Sequence, residues 1–409
     1  MQIGYMVASF PSSSSPARIN EIEGMIQRGC NVQIYSKQCP PERDTASVSK
    51  ELSQRIVYNE IPQKKLSRVL RSLPHFRRVI VTNPTEIANL TNPVRFGRDA
   101  LNLYPIYWMS PMINESFDIL HTHRGRESRI GAILKESNIC DNLISTFHGY
   151  GIRQARKNPK RYQHLFQTGD YFLGISKHIC DELSKLGVDN DKIICHPIGI
   201  SMDKFAYRWS NTPTSTPSPI KIVTVGSLKP IKGIKYGIEA VAKIQQNTDF
   251  EFEYHIIGGE SKQETRNELG SRKEELSKQA DRLGVVDNVI FHGYMPRQEV
   301  IQTLEESHIY MLTSIEEGLA TVLLEAQAVG LPVVTTDAGG TVDAVSESAR
   351  IVPPRDVDGL YENLRDLIEI PEQWPEIGKK GRNFVEDNFS TDALNDDLIE
   401  IYRKVITDR

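Results

Sequence analysis

The scarcities of this chain narrow it first. Cys30, Cys39, Cys140, Cys180 and Cys195 are five cysteines in 409 residues, odd in number and without a Cys-x-x-Cys pair, so neither a disulfide framework nor a cysteine zinc site is expected. Buried free thiols are expected instead. No uninterrupted apolar stretch approaches the ~20 residues that a membrane-spanning helix needs. Met1-Gln2-Ile3-Gly4 reads as the start of a strand rather than of a signal peptide, so the expected location is cytoplasmic. A large net charge is also missing: the total is −4, with an ordinary 39% of hydrophobic residues.

That near-neutral total conceals two opposite halves. Residues 1–210 carry 28 Lys+Arg against 19 Asp+Glu, a balance of +9, and the remainder carries 21 against 34, a balance of −13. The basic excess gathers in Lys64, Lys65, Arg68, Arg71, Arg77 and Arg78 and again in Arg153, Arg156, Lys157, Lys160 and Arg161, with no acid inside either run. Such runs attract phosphate groups or an anionic membrane surface. A solvated basic face accounts for them equally, and the stripe Leu66, Val69, Leu70 and Leu73 either meets lipid or packs into a core. No aromatic platform or binding motif accompanies the charge, so nucleic acid is not an expected partner.

A chain of this length exceeds what one core supports, and two domains of about 200 residues are the default. Strand-like and helix-like segments alternate throughout, the pattern of parallel sheets covered by helices. The first half opens with a strand from Gln2 to Ser9. Ser15-Pro16 then supplies an N-cap and first-turn proline for a helix carrying Ile19, Ile22, Met25 and Ile26 on one face, ended by Gly29. Further strands are read at 118–121, 143–147, 171–175 and 192–195, with Ser176 capping a helix that ends near Gly187. The polar, proline-rich run over 207–219 is unsuited to a core and reads as a linker between a domain over 1–206 and a second over 220–390. The second repeats the pattern with strands at 221–225, 252–257, 289–291, 309–312 and 333–336. A closing helix over 391–409 has apolar positions at Leu394, Leu398, Ile401 and Tyr402 and must dock on one domain, the N-terminal one being the candidate.

The most informative local pattern is Glu317-Gly-Leu-Ala-Thr-Val-Leu-Leu-Glu325. Gly318 breaks the segment after the strand at 309–312, and the apolar run beyond it reads as a helix whose first N–H groups lie beside Glu317. A helix N-terminus attracts anions, and loops after parallel strands are where α/β proteins hold ligands. Glu325, a turn or more inside that helix, completes a pair of carboxylates at two depths around a bound phosphate. A single glutamate is more often a solvated surface charge, but the pair suits a nucleotide-sugar.

Taken with the order and spacing of other landmarks, this block resembles the retaining glycosyltransferases of family 4. The landmarks are Arg28-Gly-Cys-Asn-Val-Gln-Ile, Asp118-Ile-Leu-His-Thr-His123, Thr146-Phe-His-Gly149, Ile175-Ser176, Pro197-Ile-Gly-Ile-Ser-Met-Asp-Lys-Phe205, Val225-Gly-Ser-Leu-Lys-Pro-Ile-Lys-Gly233 and Ile256-Ile-Gly-Gly259. Together they span nearly the whole chain. The opening from Ser9 to Glu21 is similar to the branch that assembles exopolysaccharides such as colanic acid, except that the usual Glu-Thr-Phe of that loop is absent, which bears on the acceptor.

The resemblance implies a GT-B fold, two Rossmann-like domains with parallel sheets facing a central cleft, the first on the acceptor side and the second binding a UDP- or GDP-linked sugar. It implies transfer to a saccharide or lipid-linked saccharide without a cofactor, and the basic first half adds the expectation of a peripheral station at the inner membrane face. By the same resemblance Lys232 contacts the leaving phosphate, Glu317 bonds the donor sugar hydroxyls, Glu325 holds the ribose and His148 is the active-site histidine. Ser227 stands where the family often has arginine and contributes one hydrogen bond without charge. Backbone groups of Gly318, Leu319, Ala320 and Thr321 then carry more of the phosphate contact, and the loop Gly293-Tyr294-Met295 meets the base. His121 and His123 read as structural. Asp356-Val-Asp358 matches the Asp-x-Asp of metal-dependent transferases, but Asp356 is placed to cap the following helix, so no metal is expected. The competing readings are a sugar-nucleotide epimerase of the same fold and a non-catalytic two-lobed sugar-binding protein.

Overall fold

A computed structural model describes residues 1–11, 16–40, 48–123, 125–209, 212–213, 215–259 and 272–407. The chain separates into two units, one formed by Met1–Pro197 with Thr391–Arg409 and the other by Ile198–Ser390. The first holds seven parallel strands: β1 (Gln2–Val7), β2 (Asn31–Ser36), β3 (Ile56–Tyr58), β4 (Phe117–His123), β5 (Cys140–Phe147), β6 (Tyr171–Gly174) and β7 (Ile193–Cys195), in the order β3-β2-β1-β4-β5-β6-β7. The second holds six: β8 (Ile220–Val225), β9 (Phe252–Ile257), β10 (Val289–Gly293), β11 (Ile309–Leu312), β12 (Val333–Thr336) and β13 (Arg350–Val352), in the order β10-β9-β8-β11-β12-β13. Every pairing is parallel. Such strands are covered on both faces, which is why the central ones read as nearly continuous apolar runs. The short edge strands β3 and β13 carry no such run and escaped the sequence pattern.

Local signals explain many element ends. The helix Pro16–Gln27 stops at Gly29, whose φ of +81° suits glycine. The Ser176 hydroxyl accepts from the amide of Ile179 at 3.2 Å to start Lys177–Lys185. Asp356 accepts from Gly359 at 2.9 Å to start Val357–Ile368, while Asp358 pairs with Lys243, so the two aspartates have separate partners. Ser15, read as a cap, lies outside the described residues.

The interval 207–219 is not a free linker: its described residues are strapped to the second unit. The Tyr207 hydroxyl donates to Pro375 O at 2.7 Å, the Trp209 indole to Gly330 O at 2.5 Å and the Thr216 hydroxyl to Ile368 O at 3.2 Å. Aromatic side chains with a polar tip make an otherwise polar run adhere. The chain crosses between units before this run, after Pro197, and returns after Ser390. The final helix, Thr391–Thr407, packs Leu398, Tyr402 and Val405 against Ile3, Tyr5 and Ile22 of the first unit. Tyr402 and Tyr5 share a buried hydroxyl contact of 2.8 Å.

One expectation needs correction and one open alternative is decided. Cys30 and Cys140 are buried free thiols, but Cys39 and Cys195 are exposed and Cys180 is half-buried. The stripe beside the first basic run does not pack inward: in the helices Lys65–Arg71 and Leu73–Thr82, Leu66, Leu70 and Leu73 are exposed by 74%, 65% and 70%. Arg68 is the exception in that run, buried with its guanidinium donating to Pro62 O and Gln63 O, both at 2.8 Å.

Buried histidines make the fold acid-sensitive. His121 is fully buried, with Nδ1 2.5 Å from the Tyr402 hydroxyl and Nε2 2.7 Å from that of Thr146, and burial holds its pKa well below the ordinary value. His308 accepts the Lys221 amide at 2.9 Å, and burial lowers its pKa from 6.5 to about 4. Both stay neutral when folded and protonate near the ordinary value when unfolded. The His308 contribution is therefore present above pH 6.5 and lost as pH falls toward about 4, and that of His121 is lost in the same direction below pH 6.5. Urea midpoints should fall steadily over that window, and His308→Gln should flatten part of the decline.

Candidate active site

In the second unit β8 comes first in sequence yet lies inside the sheet. The chain runs outward through β9 and β10, then reappears on the other side as β11, β12 and β13. Loops leaving the carboxyl ends of β8 and β11 therefore part in opposite directions, the place where open α/β sheets receive ligands. Lys232 stands on the first of these loops and Glu317 on the second. The loops are tied together: Ile315 N donates to Ile231 O at 2.8 Å and the Thr313 hydroxyl to Lys232 O at 3.2 Å. At Gly233, φ is +62° and a Cβ would stand 1.9 Å from the Thr313 carbonyl, so only glycine lets the loops approach this closely.

The Lys232 ammonium contacts Glu317 Oε1, which also accepts the Ser314 hydroxyl at 2.7 Å. Glu317 is pinned through its backbone, donating to Ala338 O at 2.7 Å and accepting from Gly340 N at 3.1 Å. The second close approach follows, since a Cβ on Gly340 would lie 1.8 Å from Gly318 O. Gly318 and Leu319 lead to Ala320, the N-cap of Thr321–Val329, which contributes no side-chain cap. Glu325 lies on the second turn of that helix, 4% exposed. Arg297 grips both its oxygens, Nη1 to Oε2 at 2.8 Å and Nη2 to Oε1 at 2.6 Å. Burial raises the Glu325 pKa, and the Arg297 hydrogen bonds and charge oppose that rise.

Ser227 is half-buried just past β8. Gly293 ends β10 with φ +72°, its carbonyl accepting from Gly258 N at 2.8 Å, and the Tyr294 ring beyond it is exposed. Lys232, Ser227, Gly293, Glu317, Gly318, Leu319, Ala320 and Thr321 thus leave one edge of one sheet, with Glu325 a turn beyond. His148 stands on the other sheet. It belongs to the first unit, where it follows β5 and caps Gly149–Lys157 in extended conformation.

Around His148 lies a polar cluster that the sequence reading did not assemble. Its ring centroid is 5.9 Å from that of His123, which stacks at 4.5 Å on His121. Glu21 Oε1, from the first helix, stands 3.2 Å from His123 Nε2 and 3.6 Å from His121 Nδ1. Glu21, His121 and His123 have ligand atoms within 4.8 Å of one another, a metal-like spacing. The hydroxyls of Tyr402 and Thr146 already occupy both ring nitrogens of His121, so the cluster fits a hydrogen-bonded network better than a coordination sphere. Arg297 and Ser314 were also missed. Arg297 has no sequence signal, because it meets Glu325 only through folding, whereas Ser314, three residues before Glu317, had a local one.

These two Rossmann-like α/β units make a GT-B fold, and solved structures match it over the full length. Sucrose-phosphate synthase from Thermosynechococcus elongatus superposes with a TM-score of 0.76 over 100% of both chains at 17% identity. The Anabaena protein HepE, solved in complex with UDP-glucose, gives 0.71 over 99% of this chain and 100% of its own at 16% identity. In sequence, residues 208–384 match the family described as Glycosyl transferases group 1. The chain is 27% identical to the putative colanic acid biosynthesis glycosyltransferase WcaL of Escherichia coli K12, over 98% of this chain and 99% of that one.

Gly340→Ala tests the geometry of this edge directly. The new methyl must displace the Gly318 carbonyl, and the expected result is at least about a tenfold loss of nucleotide affinity in calorimetric titration, with a cooperative thermal transition retained.

Proposed function

We propose that this protein is a retaining glycosyltransferase that moves a sugar from a UDP- or GDP-linked donor to a saccharide or lipid-linked saccharide in exopolysaccharide or lipopolysaccharide assembly. The observation that carries this reading is the meeting of Lys232 and Glu317 at the carboxyl edge of the second sheet, with Glu325 on the helix that follows. The family match over that same unit supports it, as does the full-length likeness to a colanic acid glycosyltransferase.

In this reading the anomeric carbon–oxygen bond to the diphosphate breaks as the acceptor oxygen bonds to the same carbon from the same face. The acceptor's proton leaves on the departing phosphate oxygen. Negative charge grows on phosphate, so fixed donors and cations there lower the barrier. Lys232 supplies the charge by exchanging Glu317 for phosphate, which frees Glu317 to accept bonds from the donor sugar. Ser227 and the backbone from Gly318 to Thr321 add neutral donors, Glu325 holds the ribose, and Gly293 shapes the turn beside the base. His148 binds a hydroxyl on the acceptor side. No residue set here requires a metal for this chemistry.

A membrane station is part of the proposal. Among the described residues no helix is long and apolar enough to cross a membrane. Leu66, Leu70, Leu73 and Val81 are exposed beside Lys64, Lys65, Arg71, Arg77 and Arg78, an apolar and basic face suited to an anionic surface on the cytoplasmic side.

A thermal-shift panel of UDP-, GDP- and ADP-sugars should single out one donor, since ligand at 100 times its dissociation constant stabilises by about 2.7 kcal/mol. That donor should be slowly hydrolysed to nucleoside diphosphate without acceptor and unaffected by EDTA. Loss of turnover in EDTA with recovery in magnesium or manganese refutes the metal-free mechanism. Glu317→Ala and His148→Ala should each lower turnover by at least about tenfold. Vesicles containing anionic lipid should retain the protein at low salt, and Leu70→Glu with Leu73→Glu should release it.

A further inference from the structure

Glu325 presents a problem that its neighbours solve in one way. A carboxylate this deeply buried is costly unless paired and hydrogen-bonded. Both of its oxygens meet a single guanidinium, that of Arg297, at 2.8 and 2.6 Å. Arg297 begins the helix Arg297–Glu306, four residues past Gly293, and its guanidinium carbon lies 5.7 Å from the centroid of the buried Phe205 ring. A planar fork bonded to both oxygens fixes the plane of the carboxylate as well as its position. One lone pair on each oxygen remains, and its direction is set by that plane.

We propose that Arg297 is a positioning residue for the nucleotide: its fork fixes the Glu325 carboxylate in the plane that receives the ribose hydroxyls of a nucleoside diphosphate. This rests on the reading of Glu325 as the ribose-holding residue. The surroundings give Arg297 no substitute among the described residues. Tyr310 faces Glu325 from β11 as a buried phenol, and Glu317 adds negative charge from the loop beyond. Arg382, on the packed helix Trp374–Phe389, is spent on Phe205 O and Ala328 O. Without Arg297 the hydrogen bonds and charge that oppose burial are gone, so the Glu325 carboxyl holds its proton more firmly than in the wild type and presents a fixed O–H on one side.

The experiment titrates UDP, GDP and ADP into the wild-type protein, Arg297→Ala, Arg297→Lys and Glu325→Gln by calorimetry at pH 6, 7 and 8.5. The wild type should bind one nucleotide with little pH dependence. Arg297→Ala should lose at least about tenfold in affinity, with the loss smallest at pH 8.5 because the unpaired carboxyl ionises more readily as pH rises. Arg297→Lys keeps the charge without the fork and should fall between the two with a flat profile, which serves if the alanine variant does not fold. Glu325→Gln should be weak at every pH. If Arg297→Ala binds like the wild type while Glu325→Gln does not, Arg297 has no positioning role and the ribose reading stands. A loss in Arg297→Ala that is the same at every pH also overturns the proposal, because Arg297 then acts on the ligand directly. If neither variant changes binding, or no nucleotide binds the wild type, the ribose reading falls and takes this proposal with it.

Discussion

A carboxylate inside a helix survives burial only with a cation committed to it, and the acidic edge of the second unit is organised around that requirement. Arg297 is committed to Glu325 and Lys232 to Glu317. The two pairs differ in geometry and so in exchangeability. Glu325 is almost wholly enclosed, and its fork-to-carboxylate geometry is hard to replace. Lys232 makes a single point contact with Glu317, and a lysine on a flexible stem can leave one anion for another.

The first unit reaches a related end by different means. Its switch between β1 and β4 carries Tyr5, His121 and His123, with Glu21 from the first helix and Tyr402 from the last. Burial keeps His121 neutral, and its two hydroxyl partners satisfy it without charge. The last helix therefore supplies a hydrogen-bonding group to the floor beneath His148, besides apolar packing. That gives a chemical reason for the chain to return to the first unit after completing the second.

Much of this was legible in the residues. Strands β9, β11 and β12 were bounded by apolar runs and small turn residues, and the structure places them at 252–257, 309–312 and 333–336 as read. Caps at Ser176 and Asp356 were readable because a side-chain oxygen three residues ahead of an amide is local chemistry. Lys232 and Glu317 were named separately and meet as a pair. What failed was non-local. Tyr207 and Trp209 convert an apparent linker into a strap because their partners lie more than 100 residues away. The second basic run, solitary in sequence, finds Glu182 beside Arg156 and Asp99 beside Arg161.

By itself the sequence determined the two α/β units, the strands at their centres and the candidate residues at the loop ends, because periodicity, capping and turn chemistry act within a few positions of the chain. Only the tertiary structure decided which charge each carboxylate meets, which apolar stripe stays out of the core and which unit keeps the final helix. Those outcomes depend on groups brought together across the fold, where burial sets the strength of each interaction and no local pattern records the partner.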